Sequence, residues 1–454
     1  MRVQRGSHWH CWIKPYLDSI ASKSRFMAPP IIYDGLRLFL GAFSRTPRGI
    51  DRVDLSYARF LFEKWPNECF GLLPTPWGIR LYDRGRALRL LASVQAFWRE
   101  DQGIESDPGL SHLRLWLSGH PGAGPRSSKR AGAGLLDRGL RLLRNNGLHL
   151  GRSAVENAPR NAVYLNVGQV GWAAPVTTRW LHRRTDMRAI FMLHDVIPLQ
   201  HPDLVSGGGR LSQTWMLRTV LGKAAGLITT TRSASDTVME TLRRQGLPDV
   251  PLRTLPLPVA DVFLQPDPPD EDLRRHPYFV VCGAIEPRKN HLLLLKVWQR
   301  LVQRVGPAAP RLVVVGSPAH QGEKIMRQLL EAPELRDHVT VVSGLASPCL
   351  RKVLANARGV LMPSLAEGFG LPVIEALTVG TPVLASDLLA HREVGEGLAV
   401  YLDPTDDVAW FDAVMDIIEN TEGTDALRRR IGRYTPLSAG AYFESVGEFL
   451  TSFG

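Results

Sequence analysis

Cysteine is scarce in this 454-residue chain: Cys11, Cys69, Cys282 and Cys349 lie far apart and form no C-x-x-C pair. That spacing excludes a disulfide scaffold and reads as free thiols in a reducing compartment, two of them in the core. No apolar run reaches the roughly 18 residues of a membrane-spanning helix. No G-x-G-x-x-G follows a strand, so a dinucleotide oxidoreductase lacks its fingerprint. Gly119 to Gly124 approaches a phosphate-binding loop, but Pro125 and Arg126 stand where Lys and Ser or Thr are needed. No cluster has the spacing of metal ligands. Asp270, Glu271 and Asp272 form an acidic triplet, which reads as a solvated stretch of linker.

What is present is unevenly placed. Residues 1–150 hold 23 Lys and Arg against 12 Asp and Glu, whereas residues 151–454 hold 32 of each. The whole net charge of +11 therefore sits in the first third. Between residues 134 and 144, Leu135, Leu136, Leu140, Leu142 and Leu143 interleave with Arg138, Arg141 and Arg144 on a helical period. A basic amphipathic stretch of this kind can rest on an anionic membrane surface or hold an anionic acceptor; an ordinary solvated helix face is the plainer alternative. Nucleic acid is not expected, because no aromatic–basic RNA motif or zinc pattern accompanies the charge. Residues 1–29 carry Lys14, Asp18, Lys23 and Arg25 without an apolar stretch. They form a leader, expected to be disordered, and not a secretory signal. The expected location is cytoplasmic, peripheral on the inner face of the plasma membrane.

Composition and pattern divide the rest into a first domain (30–265), a Pro- and Asp-rich linker (266–277) and a second domain (278–454). In the second, continuous apolar strands at Tyr278–Cys282, Arg311–Val315, His338–Val342, Gly359–Met362 and Pro382–Ala385 alternate with helical segments. That rhythm predicts a parallel sheet covered on both faces. The first domain shows the same habit at Ile31, Ala162–Leu165, Ala189–Leu193 and Gly226–Thr229. The expected fold class is α/β: two Rossmann-like, doubly wound domains facing each other across a cleft.

Three constellations carry chemistry. Glu367 and Glu375 flank a Gly-rich turn that leads from a strand into a helix with Pro372 in its first turn. The N–H groups of Phe369, Gly370 and Leu371 then lie at a helix N-terminus, where an anion or a sugar oxygen is welcome. A glycosidase pair fits poorly, since eight helical residues span about 12 Å and paired carboxylates stand about 5 to 9.5 Å apart. The second cluster runs from Gly283 to His291 and places Arg288 and Lys289 beside a helix N-terminus, with Asn290 as its cap. Cations there oppose the helix dipole and make sense if an anion fills the gap. Glu286 orients this loop. The third is His194-Asp195 at a strand end, able to hydrogen-bond a sugar hydroxyl. Gly49, in a loop entering a helix over Asp51–Lys64, could let the backbone approach a phosphate.

Together, Glu367 to Glu375 with Arg288-Lys289-Asn290 upstream resemble the retaining glycosyltransferases of family 4. So do Ala376 to Ser386, Arg392-Glu393-Val394, Leu402 to Pro404, His194 to Pro198 and the stretch ending at Arg52. The likeness is dense over 278–420 and scattered before it. It implies the GT-B architecture, with a nucleotide sugar as substrate and neither metal nor cofactor. Arg288 and Lys289 would hold the donor diphosphate, Glu367 the transferred sugar with Phe369 and Gly370, and Glu375 the ribose. Gly49, Gly283 and Leu371 would line the donor, Ser343 and Gly344 the base, and His194 would touch the sugar from the other domain. Residues 439–453 would form a helix crossing back to the first domain. Ala390-His391 departs from the family's shorter approach to Glu393. General similarity to polysaccharide mannosyltransferases implies GDP-mannose as donor and a polyprenyl-diphosphate-linked glycan as acceptor. UDP-glucose, or a nucleotide-sugar 2-epimerase of the same fold, are the alternatives.

Overall fold

The structure, a computed structural model, describes residues 28–43, 47–75, 78–98, 104, 107–119, 151–172, 175–201, 204, 217–218, 220–266, 268–319 and 321–454. The leader up to residue 27 and the amphipathic stretch 134–144 lie outside them.

The first sheet contains β1 (Ile31–Asp34), β2 (Cys69–Thr75), β3 (Gly78–Tyr82), β4 (Arg152–Ser153), β5 (Val163–Asn166), β6 (Arg188–Leu193), β7 (Gly226–Thr229) and β8 (Leu252–Thr254), in the order β4-β3-β2-β1-β5-β6-β7-β8. β3 runs antiparallel to both β2 and β4, and the other pairings are parallel. The second sheet contains β9 (Tyr278–Cys282), β10 (Arg311–Val315), β11 (Val339–Val342), β12 (Gly359–Met362), β13 (Val383–Ser386) and β14 (Val400–Leu402), in the order β11-β10-β9-β12-β13-β14 and parallel throughout. Strands β9, β11, β12 and β13 are mostly apolar and buried along their whole length, as a sheet covered on both faces requires. In each sheet the strand order reverses once, between β1 and β5 and between β9 and β12. Those are the points where crevices open beyond the carboxyl ends of the strands.

Eight helices matter to the site: α1 (Gly49–Arg59), α2 (Pro108–Leu117), α3 (Arg232–Arg244), α4 (His291–Val305), α5 (Ser347–Asn356), α6 (Leu371–Thr378), α7 (Leu389–Gly395) and α8 (Ala439–Thr451). α1 continues as a π-helical turn over Phe60–Lys64. α4 forms because Leu294, Val297, Trp298 and Leu301 recur on one face and are buried together, and Gly306 at φ 57° ends it.

α8 packs against residues of the first domain. Its Tyr442 hydroxyl lies 2.7 Å from that of Tyr57, and Phe443 stacks on Phe60 with ring centroids 4.7 Å apart. Phe453, just beyond α8, packs so tightly on Gly226 that a Cβ there would sit 2.6 Å from its ring.

Two details differ from expectation. α2 lies inside the span expected for the first domain but packs on the second. The Arg311 guanidinium sits 4.7 Å from the Trp116 ring centroid, and Asp107 accepts from the Ala346 N–H at 3.2 Å. Asp270 is also not solvated: it is buried, accepts from Arg114 at 2.7 Å and has the Lys352 ammonium at 3.6 Å. The linker is thus pinned by a buried carboxylate, while Glu271 and Asp272 are exposed.

Candidate active site

The second-domain half of the site is made by the two loops that leave the sheet at its switch point. After β9, Gly283 takes φ 144° and lies under the Lys289 chain; a Cβ there would meet Lys289 Cε at 3.2 Å. After β12 comes Glu367. The loops are stitched together, since Leu365 N–H donates to Arg288 O at 2.8 Å and the Arg288 guanidinium donates to Ala366 O at 2.9 Å. Lys289 Nζ donates to Glu367, Ser364 Oγ donates to the same carboxylate at 3.1 Å, and Arg288 Nη1 stands 3.7 Å from it. Arg288 also donates to Glu286 at 2.6 Å, which gives Glu286 the orienting role expected of it. Burial pushes the Glu367 carboxyl up, but Lys289 and Arg288 outweigh it and bring the group down to about 2. Glu367 is therefore an anion clamped between two cations.

Asn290 does not cap α4. It occupies the N-cap position in the left-handed region at φ 54°, and its amide donates instead to Pro404 O at 2.8 Å. Gly370, at φ 102°, is the N-cap residue of α6, with Leu371 and Pro372 in the first turn. Pro372 has no N–H and Val373 N–H donates to Gly370 O at 2.9 Å, so the backbone donors this turn leaves for a ligand are those of Gly370 and Leu371. Ser343 and Gly344 lie on the loop after β11. Ser343 Oγ donates to Gly316 O at 2.5 Å, and Gly344 has φ 79° with open space where a side chain would stand.

From the first domain, the turn after β6 meets the Gly-rich turn directly: a Cβ on Gly368 would lie 2.5 Å from both Asp195 Cβ and His194 O. His194 is buried, and its Nε2 lies 2.7 Å from Val167 O. Burial, helped by the charge on Arg37 and opposed by the bond to Val167, takes its pKa down to about 4. The ring is neutral at physiological pH. Because a carbonyl only accepts, Nε2 carries the hydrogen and Nδ1 is left as an acceptor. His194 can thus receive a hydroxyl's hydrogen bond but cannot donate a proton there.

Gly49 opens α1, and a Cβ on it would come within 2.8 Å of Leu371 Cδ1. One turn later Arg52 reaches across to Glu375, which is buried, and its other guanidinium nitrogen stands 3.4 Å from Ser347 Oγ. Burial pushes the Glu375 carboxyl up, and Arg52 holds it back. The helices α1 and α6 therefore meet near their N-termini, with an ion pair between Arg52 of α1 and Glu375, one turn into α6, bridging them.

Residues 268–437 match the family described as glycosyl transferases group 1. The O-antigen chain mannosyltransferase RfbU of Salmonella typhimurium is 28% identical over 35% of this chain and 43% of its own length. The serotype-specific mannosyltransferase WbdA of Escherichia coli is 26% identical over 47% of this chain and 28% of its own. The chain thus spans less than half the length of these relatives. Among solved structures, Anabaena HepE in complex with UDP and glucose superposes with TM-score 0.61 at 13% identity, covering 93% of this chain and all of that one. Sucrose-phosphate synthase from Thermosynechococcus elongatus gives 0.55 at 16% identity, covering 93% and 96%. The fold is GT-B. In sequence the chain is mannosyltransferase-like.

The structure brings Arg288, Lys289, Glu367, Phe369, Gly370, Leu371, Gly283, His194, Gly49 and Glu375 to the facing ends of the two sheets. Ser343 and Gly344 stand one loop further out. Arg52 was missed as a site residue. The signal for it was present: on a helix that begins at Gly49, the residue three places on shares its face. Arg37 was missed as well; it donates to Asp51 at 2.7 Å and to Gly168 O at 2.9 Å beneath the His194 loop.

Proposed function

We propose that this protein transfers a hexosyl group, with retention, from a nucleotide-sugar donor to a lipid-linked glycan in surface-polysaccharide assembly. The observation that carries the reading is the partly buried Lys289–Glu367–Arg288 cluster at the switch point, opposite His194. A donor diphosphate engages Arg288 and Lys289, which neutralise charge on the departing nucleoside diphosphate; fixed cations at a leaving group act most strongly where water is excluded. Lys289, once turned to phosphate, leaves the Glu367 oxygens free to accept from sugar hydroxyls. Glu375 takes the ribose, and the Gly370 turn and Gly49 come close to the phosphates. The two cations supply the charge that a divalent ion otherwise would, so chelators leave transfer unchanged.

The donor is GDP-mannose, by likeness to the O-antigen mannosyltransferases, with UDP-glucose as its rival. The acceptor is a polyprenyl-diphosphate-linked glycan, reached at an anionic membrane surface through the basic first third of the chain. No helix among the described residues is long and apolar enough to cross a membrane.

Thermal unfolding with GDP-mannose, UDP-glucose, UDP-GlcNAc and the free diphosphates tests the donor, since a ligand selective for the folded state raises its stability. A rise with one nucleotide class, reduced in Glu375→Ala, is expected. No rise with any of them, from folded protein, overturns the assignment. Sugar turnover without an acceptor would point to an epimerase. Retention on anionic vesicles at low salt, against none on neutral ones, is the matching test for the membrane surface.

A further inference from the structure

His391 lies at the start of α7, fully buried. Its Nδ1 lies 2.9 Å from Ser386 O, the last residue of β13. That partner only accepts, so Nδ1 carries the hydrogen and Nε2 is a lone-pair acceptor. Nε2 is buried and has no hydrogen-bond partner. The ring edge that bears it faces the Gly-rich turn: a Cβ on Gly370 would stand 3.2 Å from His391 Cδ2, the atom bonded to Nε2. Glu367 and Lys289 stand near enough for their charges to act on the ring, and burial above all lowers its affinity for a second proton. Buried acceptors in native proteins nearly always have a donor, and one left unpaired beside the Gly-rich turn of the candidate site is placed to take it from a ligand. A cation is a poor candidate, because the ring already stands beside Lys289. A hydroxyl is a good one, because it can donate to Nε2 while accepting from nearby N–H groups.

We propose that His391 is a sugar-recognition residue: its Nε2 accepts a hydrogen bond from a hydroxyl of the transferred sugar, alongside Glu367 and the Gly370 turn. The proposal rests on the reading above that the sugar lies at Glu367. It adds a specificity contact from α7, a third element beyond the two switch-point loops. A sugar lacking the matching hydroxyl, or presenting it on the opposite face of the ring, loses this bond.

The discriminating variant is His391→Asn, whose amide can still donate to Ser386 O but has no acceptor at the Nε2 position. Thermal shifts are measured with GDP-mannose against GDP and with UDP-glucose against UDP. In the unmodified protein the preferred nucleotide sugar is expected to raise the midpoint more than its diphosphate does. In His391→Asn the diphosphate shift is retained, and the increment due to the sugar falls by at least half. An unchanged increment in the variant overturns the role of His391 and leaves the donor site standing. No shift with any nucleotide in the unmodified protein overturns the donor reading, and this proposal with it. If the Asn variant does not fold, His391→Gln, whose amide oxygen reaches the same edge, is compared instead. Retention of the increment supports the proposal, and its loss from a folded protein overturns it.

Discussion

The two domains share one βα rhythm, but the carboxylates Asp34 and Asp54 in the core of the first and Glu367 at the edge of the second are held in opposite ways. In the first, Asp34 accepts from the Tyr164 hydroxyl at 2.5 Å, the Asn166 amide at 2.9 Å and the Leu36 N–H at 3.0 Å. Asp54 accepts from the Tyr33 hydroxyl, and its other oxygen has no partner. These partners are phenols, an amide and backbone, fixed in the core. In the second domain Glu367 is held by Lys289 and Arg288, groups that a phosphate could claim equally well. A carboxylate closed off by neutral donors fixes a fold, whereas one balanced by exchangeable cations can serve a charged ligand. The comparison therefore assigns stability to the first cluster and chemistry to the second.

The largest effect should come from the exchangeable side. Lys289→Ala is expected to lower the transfer rate by about 10²- to 10³-fold, the scale for removing one charge-stabilising group from a reacting centre. The far-UV spectrum should stay unchanged. A rate within a few-fold of the unmodified enzyme would remove Lys289 from the chemistry. Next comes Tyr164→Phe, which leaves Asp34 short of a donor in a buried place. A loss of about 1–3 kcal/mol in urea unfolding is expected, with the transfer rate little changed. A large fall in rate with stability intact would break the division of labour.

The third effect is a pH slope. Burial pushes the Asp54 carboxyl up to about 8, against the opposing Tyr33 bond and Arg37 charge, from an ordinary value of 3.8. An acid that binds its proton more tightly when folded contributes fully below its unfolded value and loses that contribution as pH rises towards 8. His194 acts in the reverse sense. Its value, depressed to about 4 from 6.5, gives a contribution present above pH 6.5 and lost as pH falls towards 4. In Asp54→Asn the fall in thermal midpoint between pH 5 and pH 8 should shrink. Parallel midpoint curves for the two proteins would show that Asp54 does not titrate in that range.

The same contrast explains what could be read in advance. Strands β9, β10 and β12 were legible to the residue because each is an unbroken apolar run between polar loops. Arg288, Lys289, Glu367 and Glu375 were legible because charges at strand ends and helix starts need a reason. In the first domain, β2 and β3 form an antiparallel pair whose half-exposed residues and Pro74 break the pattern. β4 has only two residues, and α2 belongs in space to the other domain. Asp34 and Asp54 could not be placed, since their partners Tyr164, Asn166 and Tyr33 come from other strands or turns of the chain. Asp270 was misread for the same reason: the sequence shows an acidic triplet, while the cations that bury one member, Arg114 and Lys352, come from 156 and 82 residues away.

The smallest effect concerns the seam between the domains. α3 of the first domain begins with its N–H groups towards the second, where Glu393 of α7 accepts from Arg232 N–H at 2.8 Å and Ser233 N–H at 3.0 Å. Thr231, its own N-cap, accepts from Ala234 N–H at 3.2 Å, so three of the four unpaired donors of this helix are satisfied, two of them across the cleft. A carboxylate on a helix N-terminus at an exposed site contributes about 0.3–1 kcal/mol. Glu393→Ala should therefore leave the stability of each domain almost unchanged. What it removes is a contact that exists only while α3 and α7 are together, so its cost falls on the closed arrangement of the domains. Proteolysis or hydrogen exchange at residues 231–236 should rise by a few-fold, with exchange in β7 and β13 unaffected. Equal protection in the variant would mean that the glycine contacts at Gly368 and Gly49, and not this carboxylate, hold the seam.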